Sequence, residues 1–306
     1  MSDTKLYLGI EVGDVSLKLA LLDGAEKRVL KTAVLQTETS PIDDIYTFET
    51  VLQGWMDECQ LEEIEAISVT VPAFRSIVRQ VFVPAEAVTN IDEYVQWYLG
   101  LITNGDKDSY IVDYKVLSGD ASIGQTVLLI AVRREWVDAL RKGFRSKSLV
   151  PKGMEVDVLS LMNLMDVAEG IKKNVECVIK ADYFGVTMLW LSKDSLHALR
   201  CVSTLSLVNA SMEEAASILA DGVCEQMKLA KEQNSVPDVK QVHICGEMAM
   251  EPLFVQKLRE KLADSCQVVL MDSFSNLRLP VDEADSAAVL NCAGAIGTAL
   301  GVMEGV

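Results

Sequence analysis

The stretch LYLGIEVGDVSLKLALLDGAEKRVLKTAVL, residues 6–35, decides how the rest of the chain is read. Leu6, Leu8, Ile10 and Val12 alternate with other residues, Leu17, Leu19 and Leu21 do so again, and residues 29–35 read as a third strand. A period of two puts each apolar set on one face of a strand. Gly13-Asp14 and Asp23-Gly24 supply the turns, so the stretch predicts two hairpins in succession. An amphipathic helix over 48–59 and an apolar strand over 66–71, stopped by Pro72, complete a β-β-β-α-β unit.

The same order returns later without evident sequence identity. Residues 175–180, 186–191 and 196–202 predict a second meander, 212–233 a long helix and 241–245 a strand. Between the two units lies a block of different character, with helices over 90–101 and 134–146 and strands over 109–117 and 126–132. A linking helix over 158–168 follows it. The predicted domains are 1–84 with 149–168, an α+β insertion over 85–148, a second domain over 169–285, and a C-terminal helix over 286–306 that packs back on the first domain. Two similar halves imply a duplicated α/β architecture with a cleft between them.

Composition narrows the function classes. Of 306 residues half are hydrophobic, and 45 Asp+Glu against 28 Lys+Arg give a formal charge of −17. That average field repels nucleic acid and an anionic bilayer. Seven cysteines stand singly, which suits reduced thiols in a cytoplasm and indicates neither a disulfide framework nor a zinc site. His197 and His243 lie in apolar strand-like runs and read as core or edge residues, so no metal site is expected. Met1-Ser2-Asp3-Thr4-Lys5 carries no secretory signature. Residues 286–303 contain no charge, but Ser286, Asn291, Thr298 and three glycines make a buried, closely packed helix the reading rather than a membrane span.

The common catalytic spellings, from the P-loop to the zinc-protease pair of histidines, are missing. The first hairpin turn is the best candidate for chemistry, because Glu11, Gly13, Asp14, Ser16 and Lys18 gather around one bend. Backbone N–H groups, Ser16 and Lys18 there suit a phosphate, with Glu11 holding Mg²⁺ through water. The alternative is an ordinary polar turn with Lys18 toward solvent.

Several further motifs follow in order: Val78-Arg79-Gln80-Val81-Phe82-Val83-Pro84, Val112-Asp113-Tyr114-Lys115-Val116-Leu117, Val156-Asp157-Val158, Ile244-Cys245-Gly246-Glu247-Met248-Ala249 and Gly294-Ala295-Ile296-Gly297-Thr298-Ala299-Leu300. With Leu8-Gly9-Ile10-Glu11-Val12-Gly13 and Lys18 they make the chain resemble, over essentially its whole length, the PilM family of type IV pilus assembly proteins. That family has the actin-like (ribonuclease H-like) duplicated fold, and its relatives include FtsA and the cytoplasmic domain of the secretion protein GspL. The resemblance implies ATP held in the cleft by two phosphate hairpins and an adenosine loop. Carried over by position, the nucleotide residues are Glu11, Gly13, Asp14, Ser16 and Lys18, then Thr187, Glu225, Lys228, Gly246 and Glu247, with a surface i,i+3 ion pair the alternative for Glu225 and Lys228.

Four departures weaken that implication. Glu11 stands for the usual aspartate, Asp14 for Ser or Thr, and Glu247 for the second glycine of the adenosine loop. At the second hairpin, counting back from Thr187 sets Ala181, Asp182 and Tyr183 in place of Asp-Ile-Gly, so the metal-side acid and the glycine both look lost, unless a one-residue gap brings Asp182 into play. Nucleotide binding is expected to be weak or absent.

The family's peptide groove lies between the insertion and the first subdomain, and Arg75, Arg79, Tyr94, Trp97, Tyr98 and Arg133 are its positional candidates here, the alternatives being insertion core for Tyr94 and Trp97 and a solvated face for the arginines. The resemblance implies a cytoplasmic scaffold at the inner face of the inner membrane. It would bind the cytoplasmic N-terminal peptide of a PilN-like membrane protein, beside other pilus or secretion platform proteins, without inserting into the membrane. An active actin-like ATPase or kinase is the competing expectation. An FtsA-like filament former is a third, for which the sequence offers no basic amphipathic tail.

Overall fold

A computed structural model describes residues 5–61, 63–146, 149–167, 174–192, 195–203, 210–234, 236–271, 277–278 and 288–305. The predicted turn residues Lys193 and Asp194, the end of the linking helix at 168, and residues 286–287 lie outside them.

The first lobe is built from β1 (Leu6–Val12), β2 (Ser16–Asp23), β3 (Arg28–Gln36), α1 (Ile45–Glu58) and β4 (Ala66–Val71). The chain leaves it for β5 (Ile77–Pro84), α2 (Ile91–Ile102), β6 (Tyr110–Asp120), β7 (Gly124–Arg133) and α3 (Arg134–Ser146), then returns through β8 (Gly153–Val156) and α4 (Asp157–Val167). The second lobe contains β9 (Glu176–Asp182), β10 (Gly185–Ser192), β11 (Ser195–Ser203), α5 (Met212–Asn234), β12 (Gln241–Cys245), α6 (Pro252–Leu262) and β13 (Gln267–Leu270); α7 (Ala293–Glu304) follows.

Strand order in the first lobe is β3-β2-β1-β4-β8 and in the second β11-β10-β9-β12-β13. Each is an antiparallel meander extended by two parallel strands, the duplication anticipated from the paired meanders. The insertion carries its own sheet, β5-β7-β6. Its boundary moves: β5 pairs with β7 from Ile77↔Ala131 to Pro84↔Gly124, so the insertion's sheet begins at 77 instead of 85. The short strands β8 and β13 and the helix α6 had no expectation attached to them.

Alternation sorts β7 between two cores. Val127, Leu129 and Ala131 face α2, while Leu128, Ile130 and Val132 join the main core with Leu140 and Phe144 of α3. That main core crosses between the lobes, since Leu189, Leu191, Leu196 and Leu199 belong to the same cluster as Leu8 and Ile10. The Gln80 amide also donates to the Leu196 carbonyl at 2.9 Å, tying β5 to β11.

α7 is buried from Ala293 to Gly301, as its uncharged sequence requires. It lies at backbone distance on β1, where a Cβ on Gly9 would strike the Ala295 carbonyl, and on α4, where one on Gly297 would strike the Ser160 carbonyl. Among the described residues no helix is long and apolar enough to cross a membrane.

Two glycine substitutions are expected to have opposite signs. Gly297→Ala overpacks α7 against α4 and costs about 1–3 kcal/mol. Gly222→Ala, in mid-α5 with nothing within 4 Å of the new methyl, gains about 0.4–1 kcal/mol. Urea unfolding midpoints of the two variants check both signs.

Candidate functional site

Four elements from the two lobes converge at the cleft: the β1–β2 turn, the β9–β10 turn, the loop after β12 and the start of α4. Register positions the charges. Glu11 lies opposite Lys18 across β1 and β2, and Lys180 opposite Thr187 across β9 and β10. Gly13 N–H donates to the Ser16 carbonyl at 2.8 Å and closes the first turn.

Two buried ammoniums occupy the centre. Lys18 Nζ donates to Asp182 Oδ1 at 2.7 Å and lies 3.5 Å from both Glu11 Oε1 and Glu247 Oε1. Lys180 Nζ lies 2.7 Å from Glu11 Oε1 and 3.4 Å from Asp157 Oδ2, and it also bonds Asp182 Oδ2. Burial alone pulls both lysines down, but Asp182 and Glu11, with Glu247 at Lys18 and Asp157 at Lys180, outweigh it and raise both above an ordinary lysine. Burial pushes Asp182 up, and the two lysines overcome this and hold it below the usual carboxylate range. Burial raises the Asp157 carboxyl against the pull of Lys180. Its Oδ1 accepts from Ala73 N–H at 2.9 Å and its Oδ2 from Thr187 Oγ1 at 3.1 Å.

The departures noted in the sequence fit one another. Asp14 forms an ion pair with Arg75, which also reaches Asp43 at 2.9 Å and lies over the Trp136 ring at 5.6 Å. Glu247 crosses the cleft to accept from Ser16 Oγ at 3.0 Å, and its own N–H donates to Asp182 Oδ1 at 3.0 Å. Gly246, at φ +90°, has no room for a side chain, since a Cβ would stand 2.9 Å from Asp182 Oδ1. Asp182 is thus the second hairpin's acid at the cleft, one residue beyond the position reached by counting back from Thr187.

Space between the turns amounts to about 10 Å³, bounded by Gly13, Ser16, Lys18, Phe74, Phe184 and Glu247 among others. That is about the room one water molecule needs and far less than a nucleotide does. Where a Mg²⁺ ion would sit among Glu11, Asp157 and Asp182, Lys180 stands instead, so the residues present do not fit a Mg–nucleotide in this arrangement. Among the described residues no group of three or more His, Cys, Asp or Glu is disposed to hold a metal ion. Glu225 and Lys228 lie on the exposed side of α5. Lys228 borders a different groove with Trp190, Lys231 and Lys261, away from the cleft.

A second concavity of about 410 Å³ runs between the insertion and the first lobe. Ile111, Ile130, Val132 and Leu140 line it from the insertion, Val71 and Met154 from the first lobe, with Arg141, Arg145, Lys152, Asp113 and Glu155 also on its walls. β6 and β8, each the last strand of its sheet, border it with an edge that no described strand pairs. Burial raises the Glu155 carboxyl even though Ser160 Oγ donates to it at 2.8 Å.

The six positional groove candidates do not converge there. Arg75 is committed to Asp14 and Asp43. Tyr94, Trp97 and Tyr98 sit on α2, which covers the other face of the insertion's sheet; Tyr94 and Trp97 rings pack 5.3 Å apart and Tyr94 donates to the Phe82 carbonyl. Arg79 donates to the Val78 carbonyl, and Arg133 lies over the Tyr110 ring at 4.7 Å. β7 sends successive side chains to opposite faces, and α2 and the groove therefore lie on opposite sides of it.

Asp157 and Lys180 were missed as site residues. Lys180 had a signal, as the one cation inside the buried strand Glu176–Asp182.

Lys180→Ala leaves Asp157 without an ammonium and Glu11 and Asp182 with Lys18 alone, and a loss of about 3–5 kcal/mol in urea unfolding is expected at neutral pH. Both lysines have pKa values raised by folding, so their contribution is complete below the unfolded lysine pKa of ~10.4 and falls as pH rises beyond it. The gap in urea midpoint between wild type and Lys180→Ala is therefore constant near neutrality and narrows above pH ~10.5.

No protein-family model matches the chain, and no curated protein does. Solved structures do. The PilM–PilN type IV pilus biogenesis complex is similar with a TM-score of 0.77 at 16% identity, covering 96% of this chain and 97% of that one. A Bacteroides thetaiotaomicron protein of unknown function with an actin-like ATPase fold gives a TM-score of 0.56 at 12% identity, over 95% of this chain and 99% of that one. The cytoplasmic domain of EpsL, an inner-membrane component of the Vibrio cholerae type II secretion system, gives 0.52 at 12% identity over 94% of each chain. At such identities the likeness carries the architecture, and the chain has the actin-like ATPase fold.

Proposed function

We propose that the chain is a non-catalytic scaffold of an inner-membrane pilus or secretion platform, and that it holds the cytoplasmic N-terminal peptide of a PilN-like membrane protein. The observation that carries this reading is the groove between the insertion and the first lobe, with an apolar floor and an unpaired strand edge at β6 and at β8. Such a groove suits an extended peptide: main-chain hydrogen bonds to an edge supply affinity, and alternate side chains reach the apolar floor. The likeness to the PilM–PilN complex and to the EpsL cytoplasmic domain supports the choice of partner. In this reading the protein works at the cytoplasmic face of the inner membrane, beside further platform proteins. The interlobe cleft stays closed on its own side chains, so the chain neither binds nor hydrolyses ATP.

Titration calorimetry with a PilN-like N-terminal peptide tests it, with 1:1 binding expected. Ile111→Asp, at the β6 edge, is expected to weaken binding by at least ~tenfold, the effect of burying an unpaired charge. Trp97→Ala, on the opposite face of the insertion, leaves it unchanged. No heat with the wild-type chain removes the proposal. Millimolar Mg-ATP is expected to leave the melting temperature where it is, and a rise would favour the ATP-binding alternative.

A further inference from the structure

The net charge of −17 conceals one strongly basic segment. Residues 133–152 hold seven Lys and Arg against two acids, a local excess of +5. α3 gathers most of it on one stripe, because Arg134, Arg141 and Arg145 recur at seven and four residues and Lys142 adjoins them; all four are exposed. Val137, Leu140 and Phe144 occupy the buried side.

Not all of these charges are available. Arg134 donates to the carbonyls of Asp108 and Tyr110 at 3.0 Å, and Arg133 lies over Tyr110. Among the described residues Arg141 pairs with Asp138 at 3.9 Å, both exposed, and Lys152 with Glu65 at 3.9 Å. Among the described residues no carboxylate stands within ion-pair distance of Lys142 or Arg145. A cation in the last turn complements the helix dipole, which accounts for Arg145; Arg141 and Lys142 lie further from that end. Arg141, Arg145 and Lys152 border the groove between insertion and first lobe, and Val150 stands on the same rim at 76% exposure.

We infer that this rim, Arg141, Lys142, Arg145 and Lys152 with Val150 between them, is a docking face for an anionic lipid surface. Charge complementarity selects the occupant. The rest of the chain carries the whole acidic excess, so this is the face that headgroup phosphates attract, and cationic side chains near an anionic leaflet each add to binding. An exposed valine among them suits the headgroup boundary. Screening makes the two tendencies separable: at ~0.1 M ionic strength the Debye length is ~10 Å, short enough to hide the remote acids from the surface while the rim still feels it. The contact sets the molecule's orientation, with the groove mouth toward the bilayer, where a peptide tail from a membrane protein emerges. The orientation rests on the peptide reading above; the lipid contact does not.

Flotation of the full chain with vesicles that carry no peptide tests the contact alone. Equimolar phosphatidylglycerol and phosphatidylcholine at ~0.1 M salt is expected to retain at least ~tenfold more protein than phosphatidylcholine alone, and ~0.5 M salt to abolish the difference. The combined variant Arg141→Glu, Lys142→Glu, Arg145→Glu is expected to fall to the neutral-vesicle level with its circular dichroism melt retained. The control variant Lys228→Glu, Lys231→Glu, Lys261→Glu, at the second-lobe groove, is expected to float as wild type does. Equal retention on both vesicles, retention by the rim variant, or an equal loss in the control overturns the inference. Calorimetry of the rim variant with the peptide reports separately on the peptide reading.

Discussion

Two ammoniums shared among four carboxylates, all removed from water between two lobes, are the interaction on which the arrangement of this molecule depends. Charges so buried are tolerated only when each finds its partners, and removing one strands the rest. Lys18 comes from the first lobe and Lys180 from the second, yet each touches Glu11 and Asp182, one acid from each lobe. The charges therefore fix the angle at which the lobes meet. Apolar contact does the same beneath them, since the leucines of β10 and β11 belong to the first lobe's core. Where an actin-like ATPase opens a cleft for its ligand, this chain is built across it.

The acids at 14 and 247, departures from the actin-like phosphate motifs, form a complementary set with their neighbours, Lys180 among them. An acid at 14 has Arg75, an acid at 247 has Ser16 and Lys18, and a lysine at 180 has Glu11 and Asp157. Either acid in an open nucleotide site would repel phosphate. Here each meets an oppositely charged partner, so side chains that look like losses in single file are contacts in three dimensions.

Much of this was legible in the chain and some was not, for definite reasons. The two meanders could be read because alternating leucines and valines are bounded by Gly13-Asp14 and Asp23-Gly24, and α3 could be read because its apolar face is sharply separated from its charges. Four-residue strands such as β8 and β13 are shorter than the window over which periodicity is measured. β5 was visible as an apolar run, but nothing local says that its hydrogen-bonding partner, β7, lies more than forty residues further on. The charge cluster was half legible: Glu11 and Lys18 lie in one turn, whereas Asp157 and Lys180 join them only through the packing of α4 and β9. Tyr94, Trp97 and Tyr98 lie across the insertion's sheet from the concavity, because which face of β7 carries α2 is settled by tertiary structure.

The last helix has a consequence for how the molecule is made. α7 lies against β1, β2, β4 and α4, so elements written at the beginning of the chain are sealed by residues 293–304. Domains generally fold in the order of their synthesis. Here the first lobe emerges from the ribosome early with the apolar floor under β1 uncovered, and it waits through translation of the insertion and the whole second lobe for its final piece. The half translated first is completed last, and its waiting surface is what a chaperone would meet.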